Sequence, residues 1–310
     1  MLGRTAQGLF WMFRYLERSE NTARLIEAGF RIALTRAGAS EWNSVLKTAG
    51  AAAGYAAQYE TLTQAHAIDF LLRDGANPSS VLSCIAAART NARAVRTALT
   101  REVWEAVNDT YLALKTRLAR PVAAKDLPDV LALIRQQSAL VRGAMHGSMM
   151  RDEGFDFSRI GTFLERADNT ARILDVKYYV LLPSVTHVGG RLDNAQWDTI
   201  LRSVAGERAY AWAGGTATAT AHGVANFLIF DPRMPRSLRY SMTKIRSNLA
   251  FLEDGATPPS HHCAARLEGM LRKGSVAEVF DTGLHDFLTD FLDEIAALGT
   301  AIEADYRFTA

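Results

Sequence analysis

Leu16-Glu17-Arg18-Ser19-Glu20-Asn21-Thr22-Ala23-Arg24-Leu25 returns later in the chain as Leu164-Glu165-Arg166-Ala167-Asp168-Asn169-Thr170-Ala171-Arg172-Ile173, with seven of ten positions identical. The three changes are Ser to Ala, Glu to Asp and Leu to Ile. At about 100° per residue, a helix gathers Glu17, Glu20, Asn21 and Arg24 on one face, with Arg14 beside them. The same arc of the second copy carries Glu165, Asp168, Asn169 and Arg172. The opposite face is mostly apolar, with Trp11, Met12, Tyr15, Leu16, Ala23, Ile26 and Phe30. Along the charged stripe itself, Phe10, Phe13 and Ala28 in the first copy, and Val176 and Tyr179 in the second, are apolar again. A solvent-facing stripe stays polar along its length, so both helices are expected to be largely buried with acids and bases turned inward. Buried charge is costly unless paired, and Glu20–Arg24 and Asp168–Arg172 stand at the i,i+4 spacing that allows pairing. Two readings follow. One is a structural ion-pair network clamping two symmetry-related helices. The other is a polar site between the copies that binds or acts on a ligand.

The repetition continues beyond this segment. Trp42-Asn43-Ser44-Val45-Leu46 matches Trp197-Asp198-Thr199-Ile200-Leu201, Tyr55 matches Tyr210, Ala65-His66 matches Ala221-His222, and Arg89-Thr90-Asn91 matches Arg246-Ser247-Asn248. Two copies are too few for a solenoid. The expected architecture is all-α, an internally duplicated helical bundle with pseudo-two-fold symmetry. The first repeat spans 1–150 and the second 151–310, packed as one helical unit. Periodicity predicts helices over 5–36, 41–58, 61–73 and 129–149. Asn77-Pro78-Ser79-Ser80 reads as a helix start with Asn77 as N-cap, opening a helix that runs past Trp104 towards Leu118. The second signature helix is expected to stop at or before Leu182, because Pro183 disfavours helical geometry in the residue ahead of it. Residues 187–191 read as loop, and no stretch alternates convincingly enough to be a strand.

Composition narrows the function classes. The net charge is +2 with acids and bases interspersed, so nothing argues for nucleic acid. Two cysteines, Cys84 and Cys263, provide neither a disulfide framework nor a zinc set. Arg4, Arg14, Glu17 and Arg18 interrupt any signal-peptide core. The run from Ala209 to Phe230 is uncharged and long enough to cross a bilayer. However, it holds Gly214-Gly215, Gly223 and His222, and its counterpart near Gly54 to Leu72 carries Glu60 and Asp69. No membrane span is expected, and the expected setting is cytoplasmic.

The usual nucleotide-cradling glycine motifs are absent, as are the Glu-x-x-His pairs of di-iron bundles and the Gly-x-Ser-x-Gly elbow of serine hydrolases. His261-His262-Cys263 point in different directions on a helix, so no metal and no cofactor is expected. His66 and His222 read as core or interhelix partners. The helix starts after Asp74 and Asp231 are candidate anion sites, the second with Arg233, Arg236 and Arg239 nearby. The signature helices remain. If Glu17 and Glu165 face one another, at least one pKa rises and suits acid/base work. Arg24 and Arg172 would instead neutralise them. In the catalytic reading Arg24, Arg172 and Arg151 hold an anionic group.

Leu2-Gly3-Arg4, Trp11-Met12 with Arg14-Tyr15-Leu16-Glu17-Arg18, Glu20 to Arg24, Asn77-Pro78-Ser79-Ser80-Val81, Trp104-Glu105 with Asn108, Met150 to Gly154 and Leu164 to Asp168 together resemble the bacterial alpha-E domain family over almost the whole chain. Phe13 departs from the pattern, standing where a glycine like Gly161 is expected. The resemblance implies an all-helical protein without a settled activity. Such proteins are encoded beside, or fused to, a circularly permuted ATP-grasp protein and a transglutaminase-like protease, the partners it implies. The expected function is a helical accessory component of an ATP-grasp-dependent peptide or amide-bond synthesis or modification system, holding its partner and an anionic substrate. The alternatives are an enzyme using the inter-repeat Glu/Arg/Asn cluster, and a structural dimerisation module, which would make the protein a homo-oligomer.

Overall fold

The structure is a computed structural model that describes residues 1–35, 40–179, 190–214, 218–253, 255 and 257–308, with backbone alone at 32–35, 40–41, 176–179 and 191–192. The expected stop at Pro183, most of the 187–191 loop and the side chains of Val176 and Tyr179 lie outside the described residues. Every regular element among the described residues is helical. The first part of the chain forms α1 (Gly3–Thr35), α2 (Ser40–Thr48), α3 (Ala52–Ala56), α4 (Gln64–Leu72), α5 (Val81–Ala94), α6 (Arg101–Arg117) and α7 (Leu127–Ser148). It continues with α8 (Glu153–Tyr179), α9 (Arg191–Ser203), α10 (Glu207–Trp212), α11 (Ala221–Phe230), α12 (Leu238–Phe251), α13 (Pro259–Lys273), α14 (Val276–Thr282) and α15 (Leu284–Asp305).

Three expected spans break differently, each for a local reason. The 41–58 segment is two helices, because Gly50 takes φ +65° and the Ala51 amide donates back to the Leu46 carbonyl at 2.8 Å. This is a left-handed helix termination that glycine adopts without steric cost. The N-cap before α5 is Ser80, whose hydroxyl accepts from the Ser83 amide. Asn77 instead accepts from the Ser79 amide at 3.0 Å and donates to the Phe70 carbonyl at 3.0 Å, tying the turn to α4. The helix towards Leu118 is interrupted after Ala94 by a 3-10 turn at Arg96–Ala98, and α6 restarts with Thr100 as its cap. The uncharged run from Ala209 is likewise split between α10 and α11, and no described helix is long and apolar enough to cross a membrane.

α1 and α8 lie side by side at the centre. α1 is flanked by α5 and α7, α8 by α12 and α15, and α6 and α13 lie outside these. Contacts step from Leu9–Gly154 through Phe10–Gly161 to Glu17–Arg166, so the two central helices run in the same direction. Leu9, Phe10, Met12 and Phe13 of α1 and Ile160 and Leu164 of α8 are buried, each contributing about 1.5–3 kcal/mol. The closest approach is at Gly161, where an added Cβ would lie 2.3 Å from the Phe10 carbonyl oxygen. Phe13 is buried at the matching point of α1, so a ring, not a bare backbone, fills that side of the crossing.

Candidate functional site

Adjacent residues on a helix point about 100° apart, so Glu17 and Arg18 cannot serve one neighbour on the same line. The parallel crossing of α1 and α8 resolves this by exchange. Arg166 donates to both oxygens of Glu17, Nε to Oε1 at 2.8 Å and Nη2 to Oε2 at 2.9 Å. Arg18 does the same to Glu165, Nε to Oε1 at 2.6 Å and Nη2 to Oε2 at 2.8 Å. Each Glu-Arg dipeptide therefore gives its carboxylate to one arginine and its guanidinium to the other carboxylate, in the two-pronged geometry that makes such pairs strong. Glu17 and Glu165 do not face one another as one expectation had it; each faces a guanidinium.

The two ends are furnished differently. Around Glu17, Arg142 of α7 donates to it at 3.3 Å and also to Glu20. Arg236, in the turn before α12, donates to Glu17 at 3.2 Å, Glu20 at 2.6 Å and Asn21 Oδ1 at 3.3 Å. Arg24 bonds Glu20 at 2.8 Å within its own helix. That turn is itself held to α8, since Thr170 Oγ1 donates to the Arg236 carbonyl at 2.8 Å. Around Glu165 the additional cation is Arg14, at 3.1 Å. Asp168 and Arg172 pair along α8 at 2.8 Å and 3.1 Å. Facing α15 offers Gly299 there, and the Arg14 guanidinium lies 3.8 Å from where its Cβ would stand.

Electrostatics follow from these contacts. Burial alone would raise Glu17, yet Arg166, Arg236 and Arg142 outweigh it and hold its carboxyl far below the usual range. Glu165 is pushed up by burial and down more strongly by Arg18 and Arg14. Glu20 is raised by burial and by Glu17, but Arg236, Arg142 and Arg24 bring it below its ordinary value. Of the two expected outcomes, a raised glutamate pKa and neutralisation by arginine, the second is found. Arg166, Arg236 and Arg142 act at Glu17, and Arg18 and Arg14 at Glu165, in place of Arg24 and Arg172. Both carboxylates are fixed as anions, and neither is poised to carry a proton near neutral pH.

A cavity of about 370 Å³ opens beside Glu165, lined by Arg14, Arg18, Asn21, Ser79, Glu165, Asp168, Asn169 and Arg172 among others. It therefore brings together most of the residues expected to bind a ligand. One position distinguishes the two ends. Pro78-Ser79-Ser80 and Pro235-Arg236-Ser237 occupy like turns, with Ser80 and Ser237 both capping the helix that follows. Arg236 fills the space against Glu17, Glu20 and Asn21, whereas Ser79 leaves the space against Glu165, Asp168 and Asn169 open. Asn21 and Asn169 are buried, and the Nδ2 of each has no hydrogen-bond partner among the described residues.

Glu20 and Arg24 belong to the Arg236 end and do not line this cavity; they line a separate, shallower cleft of about 470 Å³ beside Glu27, Arg31 and Arg135. Arg151 stays outside both: it donates to the Met149 and His146 carbonyls at 2.6 and 2.7 Å and lies 4.1 Å over the Phe155 ring. Arg233 pairs with Asp231 at 2.9 Å, and Arg239 reaches only the Phe230 carbonyl at 3.4 Å. Of the three arginines expected at that turn, Arg236 does hold carboxylates, but they are the protein's own. Sequence reasoning missed Arg18 and Arg166 as site residues, although both sit inside the repeated segment. It also missed Arg142, for which the sequence offered no signal. No cluster of potential metal ligands occurs among the described residues.

No solved structure matches the chain. An uncharacterized protein of Mycobacterium bovis and an uncharacterized protein of Mycobacterium tuberculosis are each 25% identical to it over 338 residues, a match covering 96% of this chain and 37% of the relative. The chain spans little more than a third of the length of the curated relatives it matches. Residues 1–306 match the family described as "a predicted alpha-helical domain with a conserved ER motif", and two Glu-Arg dipeptides of this chain, Glu17-Arg18 and Glu165-Arg166, meet in the reciprocal pairs described above. The chain belongs to the Alpha-E family.

Proposed function

We propose that this protein is a ligand-binding helical component, accessory to an ATP-grasp-dependent system that makes or modifies peptide or amide bonds, and that the cavity beside Glu165 receives an anionic group of its substrate. The observation that carries this is the cavity's composition. Arg14, Arg18 and Arg172 outnumber Glu165 and Asp168 on its walls, so an entering carboxylate meets net attraction. At about 4 Å and an effective dielectric constant of about 20, one unbalanced unit charge contributes about 4 kcal/mol before desolvation. Asn169 lines the cavity too, and its buried amide nitrogen has no partner among the described residues, a state that costs about 1–3 kcal/mol. The cavity falls within the usual size range of small-ligand sites.

The proposed partners, a circularly permuted ATP-grasp protein and a transglutaminase-like protease, rest on the family resemblance. Curated relatives that continue far beyond the matched segment are compatible with a module working beside others. The chain is also proposed to be a tandem duplication. Supporting this are the repeated ten-residue segment and the like order of helices from α1 to α5 and from α8 to α12. The lengths agree in part: 14 residues in both α5 and α12, and 22 in both α7 and α15.

The test has two arms. A glutamyl tripeptide titrated into the protein should shift the NMR signals of Asn169 and Ser79 saturably, and Asn169→Leu should abolish the shift without loss of fold. The neighbouring ligase should co-purify with the protein, and its ATP turnover should change when the protein is added. Absence of both a complex and any change in turnover would refute the accessory role. Lost turnover in a stably folded Glu17→Gln or Glu165→Gln protein that still binds the peptide would favour an enzyme instead.

A further inference from the structure

A second cleft, of about 340 Å³, lies on the other flank of α8, between α7 and the start of α12, and it shares no lining residue with the cavity beside Glu165. Its walls carry Arg142, Arg159, Arg166, Tyr240, Phe163 and His146, and no carboxylate among the described residues lines it. Arg166 is committed to Glu17. Arg142 meets its two glutamates through Nη1 alone, which leaves most of a five-donor fork uncommitted. Arg159 forms no ion pair with a carboxylate among the described residues. Its one hydrogen bond runs from Nη1 to His146 Nε2 at 3.2 Å, and its guanidinium lies 4.9 Å over the Phe163 ring. Asp156, one turn back on α8, acts on Arg159 only through space. An arginine always carries its charge, so His146 Nε2 accepts, and the imidazole is neutral with its proton on Nδ1.

We propose that this cleft binds an organic phosphate monoester. The phosphate sits between Arg159, Arg142 and the Tyr240 hydroxyl, and the organic body rests against Phe163 and Tyr240. Three guanidiniums without an acid on the wall suit a dianion better than a carboxylate, since planar forks match phosphate oxygens in pairs. The cleft is also at the lower end of the size range for small organic ligands, larger than a bare phosphate needs, and the Phe163 and Tyr240 rings offer apolar faces that inorganic phosphate cannot use. The assignment does not depend on the cavity beside Glu165 or on any partner.

Isothermal titration of the full chain with phenyl phosphate, inorganic phosphate and sodium benzoate tests it. Phenyl phosphate should bind saturably, at least tenfold more tightly than either of the others. Arg159→Gln should weaken it by tenfold or more, with the melting temperature unchanged, because no carboxylate is orphaned. Arg159→Lys, which keeps the charge but loses the fork, should fall between them and guards against an unfolded glutamine variant. Asn169→Leu should leave phenyl phosphate binding unaltered. Equal affinity for benzoate or for inorganic phosphate, no saturable binding, or indifference to Arg159→Gln would each overturn the proposal.

Discussion

Replacing Glu17 with glutamine should cost this protein more than the same change at Glu165. Glu17 is 1% exposed, and the guanidiniums of Arg166 and Arg236 that press on it are 10% and 9% exposed. Glutamine removes the charge and turns an amide donor towards groups that can only donate. Breaking a buried, hydrogen-bonded pair from one side costs about 3–5 kcal/mol, a large share of the roughly 5–15 kcal/mol that holds a typical fold. At about 2.1 cal/mol/K per residue of unfolding entropy, a chain of 310 residues should lose about 5–8 °C in melting temperature. Among the described residues the guanidiniums hydrogen-bonded to Glu165 are those of Arg14 and Arg18, 15% and 26% exposed, so water compensates them in part and the loss should be about half as large. The pH dependence supplies a second check. The folded pKa of Glu17 lies below its ordinary 4.5. Its contribution is therefore present in full above that value and drains away as pH falls towards the folded pKa. Urea unfolding of wild type and Glu17→Gln should thus converge on acidification below about pH 4.5. Equal losses at the two glutamates, or a gap that ignores pH, would refute the reasoning.

Gly161→Ala should destabilise by at least about 1–3 kcal/mol, because its Cβ would sit 2.3 Å from the Phe10 carbonyl oxygen. Gly143→Ala, where a Cβ meets nothing within 4 Å, should stabilise by about 0.5–1 kcal/mol; thermal melts decide both. Burial, then Asp152 and Glu153, lift the Asp156 carboxyl from 3.8 to about 6. The unfolded chain therefore releases that proton first, and stability should fall as pH rises from about 4 to about 6. Asp156→Asn should remove that fall, and carbon-detected NMR of the wild-type carboxyl should show the midpoint near 6. His146 is held below its ordinary 6.5 by burial and then by Arg159, so Arg159→Gln should move its imidazole midpoint upward in an NMR titration.

Much of this was legible in the ten-residue repeat. Its periodicity announced two buried helices, and the i,i+4 spacing announced Glu20–Arg24 and Asp168–Arg172, both of which form. What one helix cannot reveal is how its neighbour crosses it. Arg18 and Arg166 sit a quarter-turn off the polar stripe, so a single-helix projection discards them, and only a parallel crossing aims each at the other helix's glutamate. Arg142 comes from a helix whose sequence has no counterpart in the repeat. The turn before α5 misled for a simpler reason: asparagine, proline and two serines all suit a helix start, and the backbone chose the last serine because Asn77 was engaged with α4.

Arg236 behaves as a resident occupant fastened to the backbone. Being tethered, it surrenders no translational freedom on seating itself, and dilution does not remove it. Burial and the neighbouring Arg24 press its charge downward, so it stays where no freely diffusing cation would choose to settle. The corner between Glu17, Glu20 and Asn21 is therefore occupied by the chain itself. Beside Glu165, where serine stands at position 79, the corresponding space stays free for exchange, so a fixed cation and an exchangeable occupant are divided between two ends of one helix pair.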